Sequence, residues 1–441
     1  MTNRSRIELG FLVLMVVIGL LSCTKERTED PLSNAQTDND STLVFINQKI
    51  SAAIEAKRLG QWYPASDFEP VGLYLAPGQT IKINVKNLEG NRHPKLLVGT
   101  YSRVKWNDNP TEYTLDEGIN SISDEAGGLL YLKFVSHTDP TSKVEVTFKG
   151  GAPIPVYKLG ETTHNEWLQM LSTMTYTDAV YISNRTMVVA RKQTALKYKD
   201  LSQDDMLTIL DSVSNIEDYI SGLDGSSDLH KPNVHKLLIT ETDDDRVFMA
   251  ASRLRVMFYK SSSNRIMDPV EAATEAWGLW HEMGHMRQMV SWSWDEVDEV
   301  TVNIYSLAAK RGLKSRKVWL EGHETWDILI DYFKVPMEDR NYNTSNMLTG
   351  KGRLAMFHQL WMAYGDEFYI KVHQLAREEN VKTPKRDDKM AYFMLISSKA
   401  CGYNLKDFFI QWGFKLPQEA FDALDALNLP EPEIDLLKLR D

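Results

Sequence analysis

His281 and His285 stand one helical turn apart in the stretch His281-Glu282-Met283-Gly284-His285. Residues four apart share one face of a helix, so both imidazoles can reach a single metal ion. Glu282 projects beside them, where its carboxylate can act as general base and take a proton from an attacking water. An acidic stretch follows at once, with Asp295, Glu296, Asp298 and Glu299 as sources of a third ligand. This pattern points to hydrolysis assisted by one zinc ion per chain, with a peptide bond as the substrate.

A catalytic zinc ion usually keeps three protein ligands and one open position. Gln288 and Ser291 occupy the places where an extended H-E-x-x-H-x-x-G-x-x-H motif would put Gly and His. The third ligand is therefore expected to be a carboxylate from another helix, the gluzincin arrangement. Glu299 is the preferred residue. It borders an apolar stripe of Val300, Ile304, Leu307 and Ala308, one turn before Asn303, whereas Asp295 and Asp298 are more easily solvated. Spacing alone also admits Glu296. Asn303 is a candidate for orienting a ligand from behind, with a solvated surface amide as the alternative. The motif is flanked by Ala276, Trp277, Leu279, Trp280, Met286 and Met289, so its helix is expected to be buried. Histidines and a glutamate buried together need a chemical reason. Trp277 and Trp280 are candidates to line the substrate cleft.

Elements elsewhere must hold these groups in place. The chain has 441 residues, enough for two or three domains, and a formal net charge of -11 that argues against nucleic acid as a partner. Residues 1–22 read as a lipoprotein signal peptide. Arg4 and Arg6 precede an apolar run over 9–21, too short to span a bilayer comfortably, that ends in Leu20-Leu21-Ser22-Cys23. Cys23 would carry the lipid, and polar residues 23–42 would form a flexible tether. Cys401 is the only other cysteine, so an acylated Cys23 leaves no internal disulfide. The expected location is the bacterial outer membrane, held by the lipid alone and facing the cell surface or the periplasm.

Residues 43–152 are expected to form a small β-sandwich, entered through a helix over 43–58 with Ile46, Ile50, Ala53 and Ile54 on one side. Alternation of Ile81, Ile83 and Val85 with Lys82, Asn84 and Lys86 marks a half-buried strand, and 73–75, 96–101, 129–135 and 144–148 read as others. Residues 153–441 read as mostly helical, with periodic segments at 166–174, 202–223, 269–289, 298–310, 319–333, 354–378 and 405–412. The fold class is α+β multidomain: an N-terminal β-sandwich followed by a mostly α-helical gluzincin catalytic domain. His323-Glu324 lacks a second histidine at ligand spacing and reads as a loop or helix start.

Several of these stretches together resemble the enhancin-like zinc metallopeptidases, gluzincins that include mucin-degrading bacterial enzymes. The resemblance rests on Trp280 to His285 with Gln288, on Glu299-Val300-Thr301-Val302-Asn303-Ile304-Tyr305-Ser306-Leu307, on Val71 to Gln79, and on Gly402 to Phe409 with Trp412-Gly413. It implies a zinc endopeptidase acting on glycoproteins such as O-glycosylated mucins, with His281, His285 and Glu299 as metal ligands and Glu282 as base. Two other functions fit the residues: a zinc peptidase of unglycosylated proteins, and a non-catalytic lipoprotein that binds glycans or proteins.

Overall fold

The computed structural model of the chain describes residues 34–36, 41–99, 110–313, 320 and 325–441. Cys23, the expected signal peptide and His323-Glu324 lie outside the described residues. Among the described residues no helix is long and apolar enough to cross a membrane.

The N-terminal part is built from two five-stranded antiparallel sheets. One runs Asn34–Gln36, Ser41–Asn47, Lys143–Lys149, Thr80–Glu89, Gly118–Ser123, and the other Ala152–Pro153, Glu69–Leu75, Gly128–Lys133, Lys95–Val98, Thr111–Thr114. In Thr80–Glu89 the residues Ile81, Ile83 and Val85 are buried and the alternating Lys82, Asn84 and Lys86 exposed. They meet Leu96, Leu130, Leu132, Val146 and Phe148 in one apolar core. Burying an aliphatic side chain of this size is worth about 1.5–3 kcal/mol, which fixes the inward face of each strand.

The helix expected over 43–58 is corrected to strands at Ser41–Asn47 and Lys49–Ile50 and a shorter helix at Ala52–Leu59. Val44 and Ile46 enter the sandwich core with a period of two, and that burial outweighs any helical spacing. Part of the expected tether is likewise a strand, since Asn34–Gln36 pairs with Thr42 to Val44.

Beyond the sandwich lies a feature that the helical reading missed. A mixed six-stranded sheet has the order Val156–Lys158, Asp178–Ile182, Thr186–Arg191, Leu237–Thr242, Arg255–Tyr259, Met249–Ser252. Asp178–Ile182 and Leu237–Thr242 are buried along their whole length. Strands covered on both faces show no polar alternation, so periodicity could not reveal them. Gln203–Ile220 supplies Met206, Leu207, Leu210 and Val213 to the core beside this sheet. Its edge strand Met249–Ser252 runs next to the Trp277–His285 helix.

The C-terminal helices Gly350–Tyr364, Asp366–Glu379 and Arg386–Cys401 enclose an aromatic core with Trp292, Trp294, Phe393, Phe409 and Trp412. Three expected long helices are interrupted. The first splits into Pro269–Thr274 and Trp277–His285, the second at Val302, and the third at Gly365, whose φ of 71° ends one helix and turns the chain into the next.

Candidate active site

The Trp277–His285 helix divides its faces between core and cleft. Leu279, Trp280 and Met283 are buried against the core beside the six-stranded sheet, while His281, Glu282 and His285 lie on the half-buried side. Gly284 lets the neighbouring helix approach. A Cβ there would stand 2.9 Å from Tyr305 Cβ and 3.1 Å from the Val302 carbonyl oxygen. This close packing brings up the segment Asp298–Thr301, which carries Glu299, followed after Val302 by the helix Asn303–Gly312.

Glu299 Oε2 lies 2.9 Å from His281 Nε2 and 3.6 Å from His285 Nε2. One ligand atom from each of the three residues falls within 4.8 Å of the others. Each histidine is held from behind by an amide oxygen. His281 Nδ1 is 2.8 Å from Asn303 Oδ1, and Asn303 Nδ2 donates to the Glu299 carbonyl at 2.9 Å. His285 Nδ1 is 3.0 Å from Gln288 Oε1, and Gln288 Nε2 donates to the Asp298 carbonyl and to Thr301 Oγ1. The outward donations fix which end of each amide faces its histidine. An acceptor at each Nδ1 keeps a proton there, so Nε2, which faces Glu299, is the nitrogen that would give up its proton and offer a lone pair to a metal.

These residues fit a zinc ion. Tetrahedral bonds of about 2.0–2.2 Å place neighbouring donors roughly 3.3–3.6 Å apart, and Glu299 Oε2 stands 2.9 and 3.6 Å from the two Nε2 atoms. Two neutral imidazoles and one carboxylate also form the donor set of a catalytic rather than a closed structural site. Burial opposes a charged His281, but hydrogen bonds to Glu299 and Asn303 and the nearby carboxylates raise its pKa. The Glu299 carboxyl is held far below its usual range by hydrogen bonds from His281 and His285. Burial pushes the Glu282 carboxyl up, against the pull of His281, His285 and the Ala251 backbone amide. A carboxyl raised toward neutrality is suited to accept and return a proton.

The motif opens on a cavity of about 530 Å³ whose lining includes Glu282, His285, Glu299, Trp62, Tyr63 and Trp294. A larger cavity of about 640 Å³ lies between residues 54–61 and 376–384 and contains none of the motif residues. Chemistry rather than size assigns the site.

Residues 61–65 form a strap clamped at both ends. Gln61 pairs with Met289 and Ala65 with Leu254 in isolated β-bridges. The Trp62 amide donates to the Gln288 carbonyl at 3.3 Å, and the Leu254 amide to the Pro64 carbonyl at 3.0 Å. Just before the strap, Arg58 Nη1 donates to the carbonyls of Asp228, Leu229 and Lys231, tying this segment to the rest of the chain.

The expected site residues thus separate. His281, Glu282, His285 and Glu299 come together, and Asn303 stands behind His281. Glu296, which spacing also admitted, pairs with Arg386 at 3.2 Å instead. Trp277 and Trp280 are not among the residues that line this cavity. Trp280 is buried with its Nε1 donating to the Ala272 carbonyl at 3.1 Å, and Trp277 packs against two hydrophobic clusters. Trp62 and Trp294 line the cleft in their place. Gln288 has a role behind His285 that the sequence reading missed, although its three-residue spacing on the same helical path was a usable signal. Trp62 and Tyr63 carry no local signal, because only the tertiary fold brings residues 61–65 to the motif.

Comparison with known proteins gives the family and the fold. The sequence model described as peptidase M60, enhancin and enhancin-like, matches residues 150–413, and that of the N-terminal domain of M60-like peptidases matches 43–149. A functionally unknown conserved protein of Bacillus anthracis is 28% identical, with a TM-score of 0.82 over 91% of this chain and 82% of that one. The M60 catalytic domain of Clostridium perfringens ZmpC, solved in complex with the sialyl T antigen, shares the fold at 20% identity, with a TM-score of 0.76 over 90% of this chain and 81% of that one. TRPM8 channel-associated factor 1 of Bos taurus is 24% identical over 390 residues, 83% of this chain and 40% of that protein. The chain therefore spans about two fifths of the length of the curated relatives it matches.

Proposed function

The chain belongs to the peptidase M60 family, enhancin and enhancin-like, and from that membership we propose a zinc-dependent endopeptidase that cuts the polypeptide of glycoproteins such as O-glycosylated mucins. The observation that carries this reading is the convergence of His281, His285 and Glu299 on one point beside Glu282. When bound, zinc supplies Lewis-acid chemistry, making a water more acidic and polarising a carbonyl. The protein does the rest. Asn303 and Gln288 hold the two imidazoles with Nε2 presented to the cleft. Glu282 takes the proton of the attacking water and returns it to the leaving nitrogen. The edge strand Met249–Ser252 and the strap flank the cleft in which an extended polypeptide would lie.

Glycoprotein substrates are supported by the ZmpC structure with its sialyl T antigen. The deciding experiment is digestion of a mucin before and after removal of its O-glycans, with sequencing of the products and elemental analysis of the enzyme. Cleavage of the intact mucin alone supports the reading. Equal cleavage of both moves the substrate class to unglycosylated proteins. Absence of both metal and cleavage rejects a peptidase. A non-catalytic binding role is then the second reading, favoured by relatives named as channel-associated factors.

Attachment to the bacterial outer membrane through a lipid on Cys23 is part of the proposal, supported by Leu20-Leu21-Ser22-Cys23 after an apolar run. Metabolic labelling with a fatty acid, lost in Cys23→Ala, tests it.

A further inference from the structure

Hydrolysis of an amide places negative charge on the carbonyl oxygen, and a preorganised donor aimed at that oxygen is among the strongest devices available to an enzyme. Most donor side chains on the cleft wall are already engaged. Gln288 Nε2 is given to the Asp298 carbonyl and the Thr301 hydroxyl, Ser293 Oγ pairs with Thr301 Oγ1 at 3.1 Å, and Trp294 Nε1 donates to Asn343 Oδ1 at 2.9 Å. Trp62 turns its ring to the Lys389 ammonium, 4.5 Å from the ring centroid, and is 43% exposed.

Tyr63 is different. Its ring packs against the core that contains Met283 and Met286 on the motif segment, and the strap that carries it is pinned on either side. Tyr63 lines the same cavity as Glu282, His285 and Glu299, the charges of Glu299, Asp298 and Glu282 act on its phenol, and its hydroxyl has no hydrogen-bond partner among the described residues. Burial and the charges of Glu299, Asp298 and Glu282 all raise its pKa, so the phenol keeps its proton at neutral pH.

We propose that Tyr63 is the hydrogen-bond donor that stabilises the oxyanion developing on the scissile carbonyl. The inference rests on the peptidase reading above. As the water oxygen bonds to the carbonyl carbon, the π electron pair moves to the carbonyl oxygen. Tyr63 donates a hydrogen bond to that oxygen and keeps its own proton, while Glu282 takes the proton of the water. The donor comes from outside residues 150–413, on a strap supplied by the N-terminal part of the chain.

Tyr63→Phe in the full chain tests this by removing one oxygen. With a peptide that the wild type cleaves, kcat is expected to fall about 10²–10³-fold while KM stays within about threefold. Zinc content and thermal midpoint should match the wild type. A second readout uses two inhibitors in calorimetry. A phosphinic analogue of the cleaved bond, which presents a tetrahedral oxyanion, should bind Tyr63→Phe more weakly by a factor similar to the loss in kcat/KM. A small hydroxamate that only ligates zinc should bind both proteins alike. A kcat within about threefold of wild type, or unchanged phosphinate affinity, overturns the assignment and leaves the peptidase reading intact. A wild type that cleaves nothing overturns both.

Discussion

Gly284 faces Tyr305 with no room for a methyl group, since a Cβ at Gly284 would stand 2.9 Å from Tyr305 Cβ. The contact sets the spacing between the helix of the two histidines and the segment of Glu299. Gly284→Ala is expected to push them apart and to cost about 1–3 kcal/mol through overpacking. Zinc affinity should fall with it. Denaturant unfolding and a zinc titration against a chromophoric chelator measure the two effects, and unchanged affinity would show that this contact does not position the ligands.

Asn303 and Gln288 hold His281 and His285 through Nδ1. Removing such a partner typically weakens metal binding about 10–100-fold. Asn303→Ala and Gln288→Ala are each expected in that range in competition titrations. Wild-type affinity in both would mean that the imidazoles are oriented by packing alone.

Glu282 takes no part in ligating the metal in the proposed mechanism, so Glu282→Gln should retain zinc and lose turnover. General base catalysis is worth about 10²–10⁴-fold, which sets the expected fall in kcat. Paired elemental analysis and peptide cleavage check this, and turnover near the wild-type rate would reject the role.

His373 is fully buried, with Nδ1 2.6 Å from the Tyr369 carbonyl and Nε2 2.9 Å from the Tyr305 hydroxyl. Burial brings its pKa down from 6.5 to about 3. The imidazole is neutral in the fold but takes a proton in the unfolded chain below pH 6.5. The unfolded state therefore binds more protons, and stability drains away as pH falls from 6.5 toward 3. At pH 5 the loss is roughly 2 kcal/mol. Urea unfolding at pH 7 and pH 5 should show a smaller difference for His373→Asn than for wild type, and an equal difference would remove His373 as the cause.

The cluster of His281, His285 and Glu299 was legible in the sequence because its information is local. Two histidines at helical spacing and a carboxylate on the next helix need no long-range contact to be recognised. Glu299 was separable from Glu296 only in part, since the Arg386 that engages Glu296 lies far along the chain. The sandwich strand Thr80–Glu89 announced itself by alternation. The six-stranded sheet did not, because Asp178–Ile182 and Leu237–Thr242 are covered on both faces. Trp280 faces the core although it adjoins the motif, because an aromatic there can pack inward as readily as toward the site and only packing decides.

The strap at residues 61–65 makes the sandwich more than an attachment. A shortened protein beginning at residue 150, where the match to the peptidase model starts, would keep every metal ligand and yet lack one bank of the channel. Mutational drift in the N-terminal half would then be restrained by chemistry as well as by folding, and shuffling that half among relatives would retune what the cleft accepts without touching a histidine.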